Sequence, residues 1–228
     1  MYLYFLSKKT QDIDTLWNKT KSKYKEKMAD LVFSLEDYIS TSGKANRDER
    51  ILTAFMILES LPTLPFFAVE SVPSSLKKGV HGKPYFENSS IKINIAHNAD
   101  FVLVAYDENA EIGVDLEGEI EPQKAEKLSE RFASISSLKT AKFEEKISAF
   151  IMKETGGFES IELSTADENF TAKWTTAEAI MKCDGRGFSA LPELEKIKEK
   201  MKICTMVFDS ENGKEYISVA IKKITPKI

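Results

Sequence analysis

Two short segments carry residue types whose spacing could do metal and phosphate chemistry. In Gly113-Val-Asp115-Leu-Glu117 the carboxylates stand two residues apart, so on a strand both project from one face. Two carboxylates on an open strand face could hold Mg²⁺, which takes a few protein oxygens and leaves positions for phosphate and water. In the stretch from Trp174 to Gly187, residues Trp174, Glu178 and Lys182 share one helical stripe, and Gly185 and Gly187 end the helix. Glu178 could complete a metal site or take a proton. Lys182, one turn later, could meet a phosphate or protonate a leaving group. Each segment also has a plainer explanation: an acidic, solvated loop running on into GEIEP, and a surface Glu–Lys pair contributing about 0.2–0.5 kcal/mol.

Two further pieces lie upstream. In Asn94-Ile-Ala-His97-Asn98, His97 keeps the parity of Ile91, Ile93 and Ile95 at a strand end, a place where a lone histidine is usually structural. Gly82-Lys83-Pro84-Tyr85-Phe86 reads as a turn entering a strand, with Lys83 exposed.

The elements that must position these residues follow from periodicity. Met1 to Leu6 is a short strand, and residues 12–38 are helical with lysines crowding the polar side. A second helix carries Ile51, Phe55 and Leu58 and stops at Pro62 and Pro65. From Ile91 the period becomes two, residues 101–106 are apolar on both faces like a central strand, and Ile112, Val114 and Leu116 define one face of the next strand. Helical patterns cover about 122–132, 140–154, 170–183 and 192–201, and ICTMVF-DSENG-YISVAI closes the chain as a hairpin. The similar wording of LVAYD at 103–107 and TMVFD at 205–209 suggests a duplicated unit. The expected fold is therefore α+β, with two similar tandem α/β subdomains, 1–110 and 111–228, each a small antiparallel sheet packed on helices.

Composition bounds the function classes. The 228 residues can bury a core without disulfides. A net charge of −4 gives no argument for nucleic acid, and the two cysteines form neither a disulfide framework nor a metal box. The N-terminal MYLYFLSKKT is neither a signal peptide nor a membrane span, so a cytoplasmic monomer without membrane association is the expectation. No P-loop, dinucleotide-binding glycine pattern, zinc spacing or nucleophile elbow is present.

In order and spacing, GKPYF, NIAHN, GVDLE and Trp-x3-Glu-x3-Lys-x2-Gly-x-Gly resemble the 4′-phosphopantetheinyl transferases of the surfactin-synthetase type. The resemblance covers roughly Arg50 to Phe188, and GVDLE with the Trp-Glu-Lys-Gly-Gly helix are its specific parts. It implies two α/β halves with coenzyme A in the cleft between them, as co-substrate. It also implies Mg²⁺-dependent transfer of the phosphopantetheine arm to a serine of an acyl or peptidyl carrier protein, releasing adenosine 3′,5′-bisphosphate. Carried over by motif position, Asp115, Glu117 and Glu178 would hold Mg²⁺. Glu178 would be the base, and Lys182 would stabilise or protonate the departing phosphate. Lys83, Pro84 and His97 would contact coenzyme A, and Arg50 resembles an arginine near the adenosine 3′-phosphate.

Several positions depart from that pattern. Ala177 stands where the family commonly has Lys, Ala96 stands for the Ser before the histidine, and Asn98 follows it. Arg131-Phe-Ala-Ser134 lacks one Phe of an Arg-Phe-Phe-Ser motif, with Ser136 or Ser137 where a Glu is expected. Lys153-Glu154 is an alternative Lys-Glu pair, without the Trp and downstream Lys. These departures support a second expectation, a homologue that binds coenzyme A or a carrier protein without efficient transfer. A third, an unrelated magnesium phosphohydrolase, leaves GKPYF and NIAHN unexplained.

Overall fold

Strands that are apolar on both faces need cover on both sides, and that requirement organises the chain. The computed structural model describes residues 1–9, 12–68, 72–140, 146–153 and 156–223. Its strands are β1 (Tyr2–Ser7), β2 (Ser75–Lys78), β3 (Pro84–Glu87), β4 (Lys92–His97), β5 (Phe101–Asp107), β6 (Ala110–Gly118), β7 (Ser148–Met152), β8 (Phe158–Ser160), β9 (Ser164–Thr165), β10 (Lys202–Ser210) and β11 (Gly213–Lys223). The helices are α1 (Ile13–Tyr24), α2 (Ala29–Ser40), α3 (Lys44–Ser60), α4 (Pro122–Arg131), α5 (Ala133–Ser136), α6 (Phe170–Asp184) and α7 (Leu194–Lys198).

The fold is mixed α and β. One sheet runs β4-β5-β1-β7-β8, a second runs β6-β11-β10-β9, and β2 pairs with β3 alone. On β5, Val102, Val104 and Tyr106 face α1–α3, while Phe101, Leu103 and Ala105 face the second sheet. Strand β1 divides the same way, Tyr4 and Leu6 against Leu3 and Phe5. Between the sheets these residues meet Ile112, Val114 and Leu116 of β6 and Ile217, Val219 and Ile221 of β11. Helix α6 covers the outer face of the second sheet, with Ile180, Ala179 and Cys183 packed on Ala220 and Ile203. The order of layers is thus helices, sheet, sheet, helix.

Polar atoms tie the layers together. The Val114 amide of β6 donates to Asn94 Oδ1 of β4 at 2.9 Å, both groups buried, which fixes how the two sheets sit. At the far end, Asn98 Nδ2 donates to Glu215 at 2.6 Å and Asn212 Nδ2 donates to Asp100.

Several sequence expectations need correction. The long helix over 12–38 is two helices, α1 and α2, broken at residues 25–28. The helix over 140–154 is not formed at 148–152, which is β7, paired parallel with β1. Phe150 stacks on Tyr4 at 5.2 Å, so packing against the sheet overrides a local helical pattern. Glu154, of the alternative Lys153-Glu154 pair, lies outside the described residues. The division expected at residue 110 coincides with the start of β6, where the chain passes to the second sheet, but β7 and β8 return to the first.

Candidate active site

The site grows from a close approach of α6 to β6. Gly113 lies under the helix so tightly that a β-carbon would stand 2.1 Å from the Ala179 carbonyl oxygen and 2.2 Å from the Cys183 amide nitrogen. Ala179, small and fully buried, helps to admit that contact. Thr175 and Thr176 pin the helix from its buried side: Thr175 Oγ1 lies 2.9 Å from Ser218 Oγ, Thr176 Oγ1 lies 2.7 Å from Thr205 Oγ1, and both also donate to α6 carbonyls one turn back. Asn169 caps the helix through the Ala172 amide, a contact contributing about 1 kcal/mol, and Gly185 ends it at φ 88°.

This contact sets Asp115 and Glu117 of β6 beneath Glu178 and Lys182 of α6. Asp115 is 3% exposed. Lys182 Nζ donates to its Oδ1 at 2.6 Å and lies 3.9 Å from Glu178 Oε2. Asp115 Oδ2 is buried without a hydrogen-bond partner among the described residues. Desolvation, reinforced by the Asp115 charge, pushes Glu117 and Glu178 each up to about 7. Burial alone would lower Lys182, but Asp115 and Glu178 outweigh it and raise it. Three carboxyl groups face one ammonium, so the cluster is short of positive charge.

A divalent cation fits that imbalance. The unpartnered oxygen of Asp115 is the kind of buried acceptor an oxygen-liganded ion satisfies, and carboxylates suit Mg²⁺. Among the described residues no three His, Cys, Asp or Glu side chains already stand in ligating geometry, and the Lys182 ammonium sits on Asp115 instead.

A cavity of about 300 Å³ lies beside the cluster, lined by Arg50, Lys78, Pro84 and His97, among others. His97 is half-exposed, 3.3 Å from Glu49, and burial lowers it while Glu49 opposes. Its field also includes Lys182 and Asp115, which places cavity and cluster side by side. The Arg50 guanidinium donates to the Tyr38 carbonyl and lies 4.8 Å from the centre of the Tyr38 ring, and Lys78 Nζ lies 5.3 Å from it. Burial lowers Lys78, and the nearby Arg50 adds to that, so two cations share a space that would welcome an anion.

Of the expected site residues, Asp115, Glu117, Glu178 and Lys182 are brought together, and Arg50, Pro84 and His97 share the adjoining cavity. Lys83 is turned elsewhere, donating to Glu111 at 2.8 Å and to the Cys183 carbonyl at 2.9 Å. Glu49 and Lys78 were missed; their placement beside Arg50 and before GKPYF was the available signal. Ala177 is fully buried against Ile135, Leu138 and Trp174, so a lysine there has no route to the site without moving α5. Phe132, Phe170 and Phe188 surround Trp174, and Arg131 lies over Phe132.

No family model matches this chain, and no curated protein matches it. No described helix is long and apolar enough to cross a membrane.

Proposed function

We propose that this protein transfers the 4′-phosphopantetheine group of coenzyme A to a serine of an apo acyl or peptidyl carrier protein, with Mg²⁺, in fatty-acid, polyketide or nonribosomal peptide synthesis. The observation that carries the reading is the convergence of Asp115, Glu117, Glu178 and Lys182, with one Asp115 oxygen unsatisfied, beside a cavity holding Arg50, Lys78 and His97. A carboxylate cluster that could hold a divalent cation, next to cationic walls, suits a diphosphate. The reading expects two α/β halves with coenzyme A in the cleft between them, although β7 and β8 of the second half complete the first sheet.

Asp115, Glu117 and Glu178 would hold the ion, which offsets charge on the diphosphate that an oxygen nucleophile must attack. Glu178 would also take the proton from the carrier serine, directly or through a water. The serine oxygen forms the new bond to phosphorus as the bond to the adenosine bisphosphate oxygen breaks. Lys182 stabilises or protonates that leaving oxygen. Arg50 and Lys78 grip the remaining phosphate, with His97 and Pro84 along the same wall.

Incubating an apo carrier with coenzyme A and Mg²⁺ should add one phosphopantetheine by mass. Asp115→Ala and Glu178→Ala should each abolish it. Normal coenzyme A binding without modification of several fatty-acid and peptide-synthetase carriers would rule the transferase out. The second reading, a binder without efficient transfer, draws on the buried Ala177 and on Lys83 being engaged by Glu111. Coenzyme A binding indifferent to Mg²⁺ in calorimetry would favour it.

A further inference from the structure

Lys182 is placed where a cation would have to go. Its ammonium donates to Asp115 Oδ1 at 2.6 Å and lies 3.9 Å from Glu178, two of the groups that would ligate the ion. Glu178 and Lys182 are one turn apart on α6, so the helix itself delivers the ammonium to the carboxylates. The second Asp115 oxygen is buried and unpartnered among the described residues, so one ammonium leaves the acceptor set unfilled. A divalent ion seated on Asp115 would share its space with a like charge, and the two repel strongly in a partly desolvated site. The lysine side chain is 30% exposed and has a flexible four-carbon stem, so it can leave the carboxylate without moving α6.

We infer that Lys182 is a stand-in cation: it neutralises Asp115 in the metal-free protein, and the arriving divalent ion displaces it into the adjoining cavity. The inference rests on the proposed metal site, and it adds an order of events. Lys182 is withheld from the phosphate until the ion is in place, so metal loading and the arming of the lysine become one step. The device also explains how a buried carboxylate cluster folds before any ion arrives. Without a resident ammonium, Asp115 would be an uncompensated buried charge.

Titration of the protein with Mg²⁺ alone, followed by calorimetry, tests this without any turnover. Lys182→Met keeps the length of the side chain and removes the competitor, and it should tighten Mg²⁺ binding at least tenfold. Lys124→Met serves as the comparison, because Lys124 acts on Glu117 by charge but is not the ammonium seated on Asp115, and it should change affinity less than threefold. Equal gains in both variants would reduce Lys182 to general electrostatics and overturn the inference. In wild-type protein, pulsed reductive methylation read by mass spectrometry should label Lys182 faster with Mg²⁺ than without. Unchanged labelling at saturating Mg²⁺ would also overturn it, whether or not the variant folds. Absence of Mg²⁺ binding in both wild type and Lys182→Met would instead bring down the proposed metal site itself.

Discussion

Gly113 and Ala179 are in backbone contact: a β-carbon on Gly113 would sit 2.1 Å from the Ala179 carbonyl oxygen, with the Cys183 backbone also under 3 Å away. No flexible side chain can yield there, because the opposing atoms are helix backbone. Gly113→Ala therefore forces α6 away from β6. Overpacking of this kind costs about 3 kcal/mol or more. In a chain of this size that corresponds to a fall in Tm of about 6–12 °C by differential scanning calorimetry. The same displacement separates Glu178 and Lys182 from Asp115, so any folded fraction should lose its Mg²⁺ response. A Gly113→Ala protein with unchanged Tm would show that α6 is not held by this contact.

The glycine also shows what the sequence could and could not disclose. Gly113, Asp115 and Glu117 were legible as one strand face, and Trp174, Glu178 and Lys182 as one helical stripe, because both periodicities are local. What joins them is not local. The stripe meets the face because a side chain is missing at Gly113 and because Thr175 and Thr176 are bonded to Ser218 and Thr205. Strand β7 was misread for the same reason: its partner, β1, lies at the other end of the chain. Asn94 belonged to a noticed motif, yet its task is to accept the Val114 amide between the sheets, which no spacing announces.

Arg50 and Lys78 crowd one cavity, and an anion there relieves both. If that anion is the 3′-phosphate of coenzyme A, Arg50→Ala removes a charge-assisted contact of about 1.5–3 kcal/mol. The KM for coenzyme A should then rise about 10–100-fold. Dephospho-coenzyme A, which lacks that phosphate, should be used equally by wild type and variant. Steady-state kinetics with both substrates decides the point, since an equal loss on both would mean that Arg50 serves the fold through the Tyr38 carbonyl instead.

Glu178 gives a signed pH dependence. Its carboxyl is raised to about 7 in the folded protein by desolvation and the neighbouring Asp115 charge. Between the ordinary carboxylate range and pH 7 the folded state therefore binds more protons than the unfolded one, and stability is lost as pH rises through that window. Glu178→Gln removes the penalty. The variant should be more stable than wild type at pH 8, with the difference vanishing near pH 4.5. Mg²⁺ should narrow the gap at pH 8, because only wild type retains the full set of carboxylates to bind it. Thermal melts at the two pH values, with and without Mg²⁺, measure this. A variant equally stabilised at both values would mean that Glu178 is not proton-linked to folding.

Asn98 and Glu215 join the two sheets at the edge nearest His97. Glu215 is 2% exposed, accepts from Asn98 Nδ2 at 2.6 Å and from Ser210 Oγ at 3.1 Å, and is raised by burial against the pull of those donors. Asn98 Oδ1 in turn accepts from the Asp100 and Phe101 amides, which shapes the turn after His97. Removing either partner leaves the other's polar group unsatisfied, a penalty absent from the double variant, although the Asp100 and Phe101 amides lose their acceptor whenever Asn98 is removed. Asn98→Ala and Glu215→Ala should each destabilise by about 1–3 kcal/mol in urea unfolding. The double variant should fall short of the sum by about 0.5–3 kcal/mol. Glu215→Gln keeps an acceptor for Asn98 without the buried charge, so it should be the mildest of the series. Additive losses would show that the two sheets do not depend on each other at this edge, and the turn that carries His97 would then owe its shape to Asn98 alone.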